Sequence, residues 1–153
     1  MINNRQTELS SLVRDNIDEI LVRIIQFTNI HHNLISENIR GYRAAGFVPM
    51  FIDVEDFAKV ISIALTEHQK TKRLALCDSR TVTFLKDGEF AVEPQVDFEA
   101  ADLMCKDLPG YLDLQKSRLR ENIANNKAAC ALFYHKLNEM TNQVTDDPVE
   151  NQI

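Results

Sequence analysis

The hydrophobic positions of this chain recur with helical spacing at both ends and lose that spacing in the middle. From Thr7 to Arg40 neither glycine nor proline interrupts the chain, and Val13, Ile17, Ile20, Ile24 and Phe27 step by 4, 3, 4 and 3. That is heptad spacing along one helix face. Leu34 continues the register, while Leu12, Leu21, Ile25 and Ile35 widen the stripe. The pattern predicts an amphipathic helix over 7–40 that stops at Gly41, where glycine tolerates a left-handed cap. After Pro109-Gly110, with Asp113 as the expected N-cap, a second seam runs through Leu119, Ile123, Asn126, Cys130, Phe133, Leu137 and Met140. It predicts a helix over 111–140. Its polar member, Asn126, has two readings: a residue that fixes register or partner number, or a polar residue tolerated near solvent. Cys130 is expected to pack as a small hydrophobe.

Length bears on the role of these helices. A rod of about 34 residues spans about 50 Å, whereas a compact chain of this size is roughly 40 Å across. The N-terminal stripe is therefore expected to be covered by the C-terminal helix and by neighbouring subunits. A lone monomer should then be poorly ordered at both ends.

All the punctuation outside the tail falls between residues 41 and 110: Gly41, Gly46, Pro49, Gly88, Pro94, Pro109 and Gly110. Within this mixed middle, Asp53 opens a third helix, with Asp56 in a capping-box-like position. Val54, Phe57, Ile61, Ala64 and Leu65 form its apolar face, to about Gln69. Thr81–Leu85 and Phe90–Glu93 are two β-prone runs around Asp87-Gly88, a hairpin signal. Phe98–Lys106 is a short helix candidate. The organisation is a single domain, 1–153: helix over 7–40, mixed middle over 41–110, helix over 111–140 and a flexible polar tail over 141–153. The fold class is mainly α, with the terminal helices pairing as an antiparallel coiled coil around a short third helix and a small β-hairpin.

Composition removes several functions from consideration. The 153 residues carry a formal net charge of -6, unfavourable for contact with nucleic-acid phosphates. The densest basic run, Lys70–Arg73, is short. No run of apolar residues is long enough to cross a bilayer, and no secretory signal is expected from the polar start. Three cysteines, Cys77, Cys105 and Cys130, have no CxxC spacing and suit neither a disulfide framework nor a zinc site. His31 and His32 are adjacent and diverge by about 100° on a helix, so they do not share a metal. His68 and His135 stand alone, and Asp97, Glu99 and Asp102 lack a calcium-loop pattern. No glycine-rich phosphate loop is present. The sequence predicts no catalytic, cofactor-binding or metal site, and no enzyme.

The exit from the first helix reads Ser36-Glu37-Asn38-Ile39-Arg40-Gly41-Tyr42-Arg43-Ala44-Ala45-Gly46-Phe47. With Asn38-Ile39 at the helix end and Gly46-Phe47 eight residues after the Asn, it resembles the signature of bacterial flagellar basal-body rod proteins. Gly41, Ala44 and Ala45 stand where the family usually has a second Asn and Thr-Pro. Ile52-Asp53-Val54-Glu55-Asp56-Phe57-Ala58 is similar to the acidic-aromatic stretch of the proximal-rod branch. Leu112-Asp113-Leu114 followed by Glu121-Asn122 is similar to the opening of its last helix. The resemblance implies paired terminal helices and assembly with copies of itself and with other rod and basal-body proteins. It also implies export through the flagellar type III apparatus without a cleaved signal, and a place in the periplasmic rod. Val13 to Leu34, Leu119 to Met140 and the corner of Asn38, Ile39, Gly46 and Phe47 would then be assembly contacts. The alternatives are a soluble helical adaptor or secretion chaperone that holds a partner helix, and a small enzyme with its site in the middle.

Overall fold

Heptad-spaced apolar residues make a helix because one face can then be buried along its whole length. At the N-terminal end they do so throughout α1 (Asn16–Gly41). The structure, a computed structural model, describes residues 16–145; residues 7–15 of the expected first helix, Val13 among them, and 146–153 of the expected tail lie outside the described residues, while residues 141–145, expected in the tail, continue the last helix. Then follow β1 (Met50–Phe51), α2 (Val54–Thr71), β2 (Val82–Phe84), β3 (Phe90–Val92), β4 (Gln95–Val96), α3 (Phe98–Lys106) and α4 (Leu108–Thr145). The protein is mainly α. Its long first and last helices pack together extensively and antiparallel, as Asp18 meets Lys136, His31 meets Asn122 and Asn38 meets Gln115.

The middle supplies a second antiparallel neighbour for α1. Asp53 caps α2 by accepting the Asp56 N–H at 3.0 Å. Phe57 on α2 stacks on Phe27 of α1 with centroids 4.0 Å apart. At the far end the Asn16 side-chain amide donates to Lys72 O at 3.3 Å, so α2 runs back along α1. The Asp56 carboxylate does not return to close a capping box. It accepts instead from the Ser79 and Thr81 hydroxyls and the Thr81 N–H, pinning the start of the hairpin to α2. In that hairpin Val82, Thr83 and Phe84 face Val92, Ala91 and Phe90, and Gly88 takes a positive φ of 79° in the turn. A second ladder, unforeseen in the sequence, pairs Met50 with Val96 and Phe51 with Gln95.

These contacts redistribute the burial of α1. Ile20 and Phe27 join Ile52, Phe57, Ile61 and Val82 in the core, with Ile24 and Leu34 packed against it. Part of the stripe on α1 is thus covered by α2 and the hairpin of the same copy, alongside the extensive packing of α1 on the last helix.

Three local expectations are corrected. The last helix starts at Leu108, not after Gly110. Asp107 rather than Asp113 accepts the Gly110 N–H, at 3.1 Å, and Pro109 sits in the first turn, where no N–H is needed. Gly41 does not adopt a left-handed conformation; a Cβ there would come within 2.5 Å of the Phe47 ring, which folds back onto it. Gly46, with open space around it, needs glycine for its φ of +76°.

Candidate functional site

Because α2 and α4 lie on two sides of α1, a groove of about 840 Å³ opens between them. Its floor is α1, at Leu21, Ile24, Phe27, Leu34 and Ile35. One wall is the apolar face of α2, with Val54, Ala58, Ile61 and Leu65. The other is α4, where Gln115, Asn122, Asn125, Ala128, Ala129 and Leu132 make a polar and small-residue wall. Val54, Leu65 and Leu132 remain exposed to solvent. The groove is amphipathic across its width, the cross-section that an amphipathic helix fills.

The corner of Asn38 closes one end. Asn38 Nδ2 donates to Met50 O at 2.7 Å, and its Oδ1 accepts the Met50 N–H at 3.1 Å. Its amide thus mimics a strand partner for β1 and does not satisfy the carbonyls of its own helix. The same Nδ2 reaches Gln115 Oε1 at 3.3 Å, and the Tyr111 hydroxyl donates to Asn38 O at 2.8 Å. Asn38, Tyr111 and Gln115 are all buried. Burial and the nearby Asp97 charge raise the Tyr111 phenol above its ordinary range, so it stays a donor.

Further along, Asn122 Nδ2 donates to Thr28 O at 2.8 Å, which turns its Oδ1 toward His31 Nδ1 at 3.2 Å. Since that oxygen can only accept, Nδ1 carries the proton and Nε2 is left as the acceptor. Burial lowers the His31 pKa below 6.5, with the Asn122 hydrogen bond working the other way. Asn126 Nδ2 donates to Thr28 Oγ1 at 2.8 Å, which favours the first of its two readings, a residue that sets register. At the mouth, Arg118 pairs with the buried Asp97 at 2.7 Å. Asp97 also caps α3 by accepting the Ala100 N–H at 2.9 Å, so this ion pair ties α3 to α4.

The residues named from the sequence are only partly brought together. Ile20, Phe27 and Asn38 are buried, and Ile24, Leu34 and Ile39 half-buried. Ile17 is 41% exposed and leaves the stripe. Phe47 is half-buried over Gly41 and Gly46 is exposed. Leu119, Ile123, Asn126, Cys130, Phe133 and Leu137 are half-buried; the Met140 side chain lies outside the described residues. The line of α4 that meets α1 is a different one: Tyr111, Gln115, Asn122, Ala129 and Lys136, spaced by 4, 7, 7 and 7. The first four are buried, and Lys136 lies 3.3 Å from the buried Asp18. The apolar seam sits on the flank. A search for apolar heptads passes over this line because its members are polar or small, although its sevenfold spacing is legible.

Among the described residues no group of three His, Cys, Asp or Glu is placed to hold a metal ion, and no helix is long and apolar enough to cross a membrane. Cys77, Cys105 and Cys130 are free. No protein-family model, curated protein or solved structure matches the chain.

Proposed function

We propose that this chain is a structural subunit of a helical assembly, of the kind built in the proximal rod of the bacterial flagellum. The observation that carries the reading is the open apolar groove bounded by three helices, which a single copy leaves uncovered. Contiguous apolar surface of that kind characterises interaction sites. The order of the Asn38–Phe47 corner, the acidic-aromatic start of α2 and the Asp-Leu and Asn of the last helix supports the rod as the assembly. Its partners would be copies of itself, other rod and basal-body proteins and the export apparatus, and its place the periplasmic rod. Disrupting the gene should abolish motility, and the chain should co-purify with isolated basal bodies. Normal motility, or basal bodies that lack the chain, would exclude the rod.

A second reading is favoured by the cover over α1. Because the chain's own middle covers part of that stripe within one copy, some of its burial does not depend on neighbours, as suits a free adaptor or secretion chaperone whose groove holds a partner helix. A defined complex with one helical partner, and no larger assembly, would select this reading.

A further inference from the structure

We infer that the groove receives the outer flank of α4 from a second copy of this chain, joining copies head to tail. This rests on the assembly reading but not on the rod itself. The geometry comes from α4. It lines the groove at Glu121, Asn125 and Leu132. Leu119, Ile123 and Cys130 each precede one of these by two residues, about 200° around the helix. Arg118, Asn122 and Ala129, which also line the groove, each precede one of the flank residues Leu119, Ile123 and Cys130 by a single residue, about 100°. The flank is therefore a separate face of the same helix, turned away from the groove. A contact between unlike faces leaves a free groove at one end and a free flank at the other, so it repeats; a two-fold pair closes after one step.

Charge selects the occupant. The groove is lined by Glu55, Glu121 and Arg118 as its charged side chains, besides His31. Arg118 is committed to Asp97, which leaves two exposed carboxylates at the mouth. The outer flank carries Lys116, Arg120 and Lys127, all exposed, beside the half-buried Leu119 and Ile123. A basic-edged apolar stripe on one side thus complements an acidic-edged apolar groove on the other, and such complementarity sets both register and partner choice.

The test exchanges the charges. One variant carries Glu55→Lys and Glu121→Lys; the other carries Lys116→Glu, Arg120→Glu and Lys127→Glu. All five positions are exposed, and circular dichroism checks that helix content is kept. Sedimentation velocity of the wild-type chain should show a concentration-dependent series extending beyond a dimer. Each variant alone should associate about tenfold more weakly, or less still. Their equimolar mixture should regain association, because each reversed face meets a complementary one. If both variants associate like the wild type, the groove-to-flank contact is wrong while self-assembly stands. A single discrete dimer would replace it with a two-fold pair. A wild-type chain monomeric at every concentration would remove self-assembly as well and leave the groove to a helix of another protein.

Discussion

Asn38 places both ends of its amide on the backbone of Met50, holding β1 against the end of α1 from a buried position. Removing it leaves the Met50 N–H and C=O and the Gln115 oxygen without that partner. Asn38→Ala should therefore cost about 2–3 kcal/mol, seen in urea unfolding as a lower midpoint with unchanged slope. Gly46 differs in kind. Nothing lies within 4 Å of a Cβ built there, but its φ is +76°. Gly46→Ala should cost about 1 kcal/mol and Gly46→Asn less, since Asn tolerates the left-handed region; thermal unfolding of the pair separates backbone strain from packing. His31 makes the fold sensitive to acid. Its folded-state pKa lies below 6.5, so between the two values the unfolded chain holds more protons, and stability falls as pH drops below about 6.5. Asp56, held below the usual carboxylate range by its hydrogen bonds to Thr81 and Ser79, adds a loss at lower pH. His31→Gln should flatten the first part of that decline in a pH series of unfolding midpoints, and an unchanged series would show that His31 does not drive it.

Between elements, the antiparallel pair is held by a polar and small-residue line rather than by an apolar seam. Asn122 and Asn126 both bind Thr28, Lys136 approaches the buried Asp18, and Ala129 is 5% exposed between them. Directional bonds of this sort define one register, whereas a uniform apolar seam tolerates sliding. Ala129→Leu should destabilise the fold by about 1–3 kcal/mol through overpacking. Ala131→Leu, on an exposed position two residues on, should change stability by about 0.5 kcal/mol or less. Equal effects from the two would mean that the close approach does not lie at Ala129.

For the molecule as a whole, the division of burial sets what order precedes assembly. Ile20, Phe27 and Ile35 are sealed within one copy, while Leu132 and Leu65 in the groove and Leu119 and Ile123 on the flank keep contact with solvent. Amide exchange on dilute protein should find α1 protected around these buried residues, with the C-terminal turns of α4 exchanging faster. Raising the concentration should slow exchange along α4 and α2 at the groove. Protection that is uniform and independent of concentration would count against assembly through these faces.

The sequence by itself determined the elements. The heptad stripe before Gly41, the Asp53 cap, the Asp-Gly turn and the run Phe98–Lys106 each place an element where the structure has it. Helices and hairpins of this kind are specified by side-chain periodicity and turn chemistry within a few residues of one another. Asn38 became a residue of interest only through the resemblance of its stretch to the rod-protein signature. The tertiary structure decided which faces meet. Hydrophobic periodicity marks a face as buriable without naming its cover, and α1 could be sealed by α2 and the hairpin or by α4. Both contribute: Phe57 of α2 stacks on Phe27, while Asn122 and Gln115 of α4 reach Thr28 and Asn38. The polar line from Gln115 to Lys136 gains its meaning only when Asn38, Thr28 and Asp18 stand opposite it. Hydrogen bonds between residues some ninety positions apart depend on the packing that brings the helices together, and so does the groove left between them.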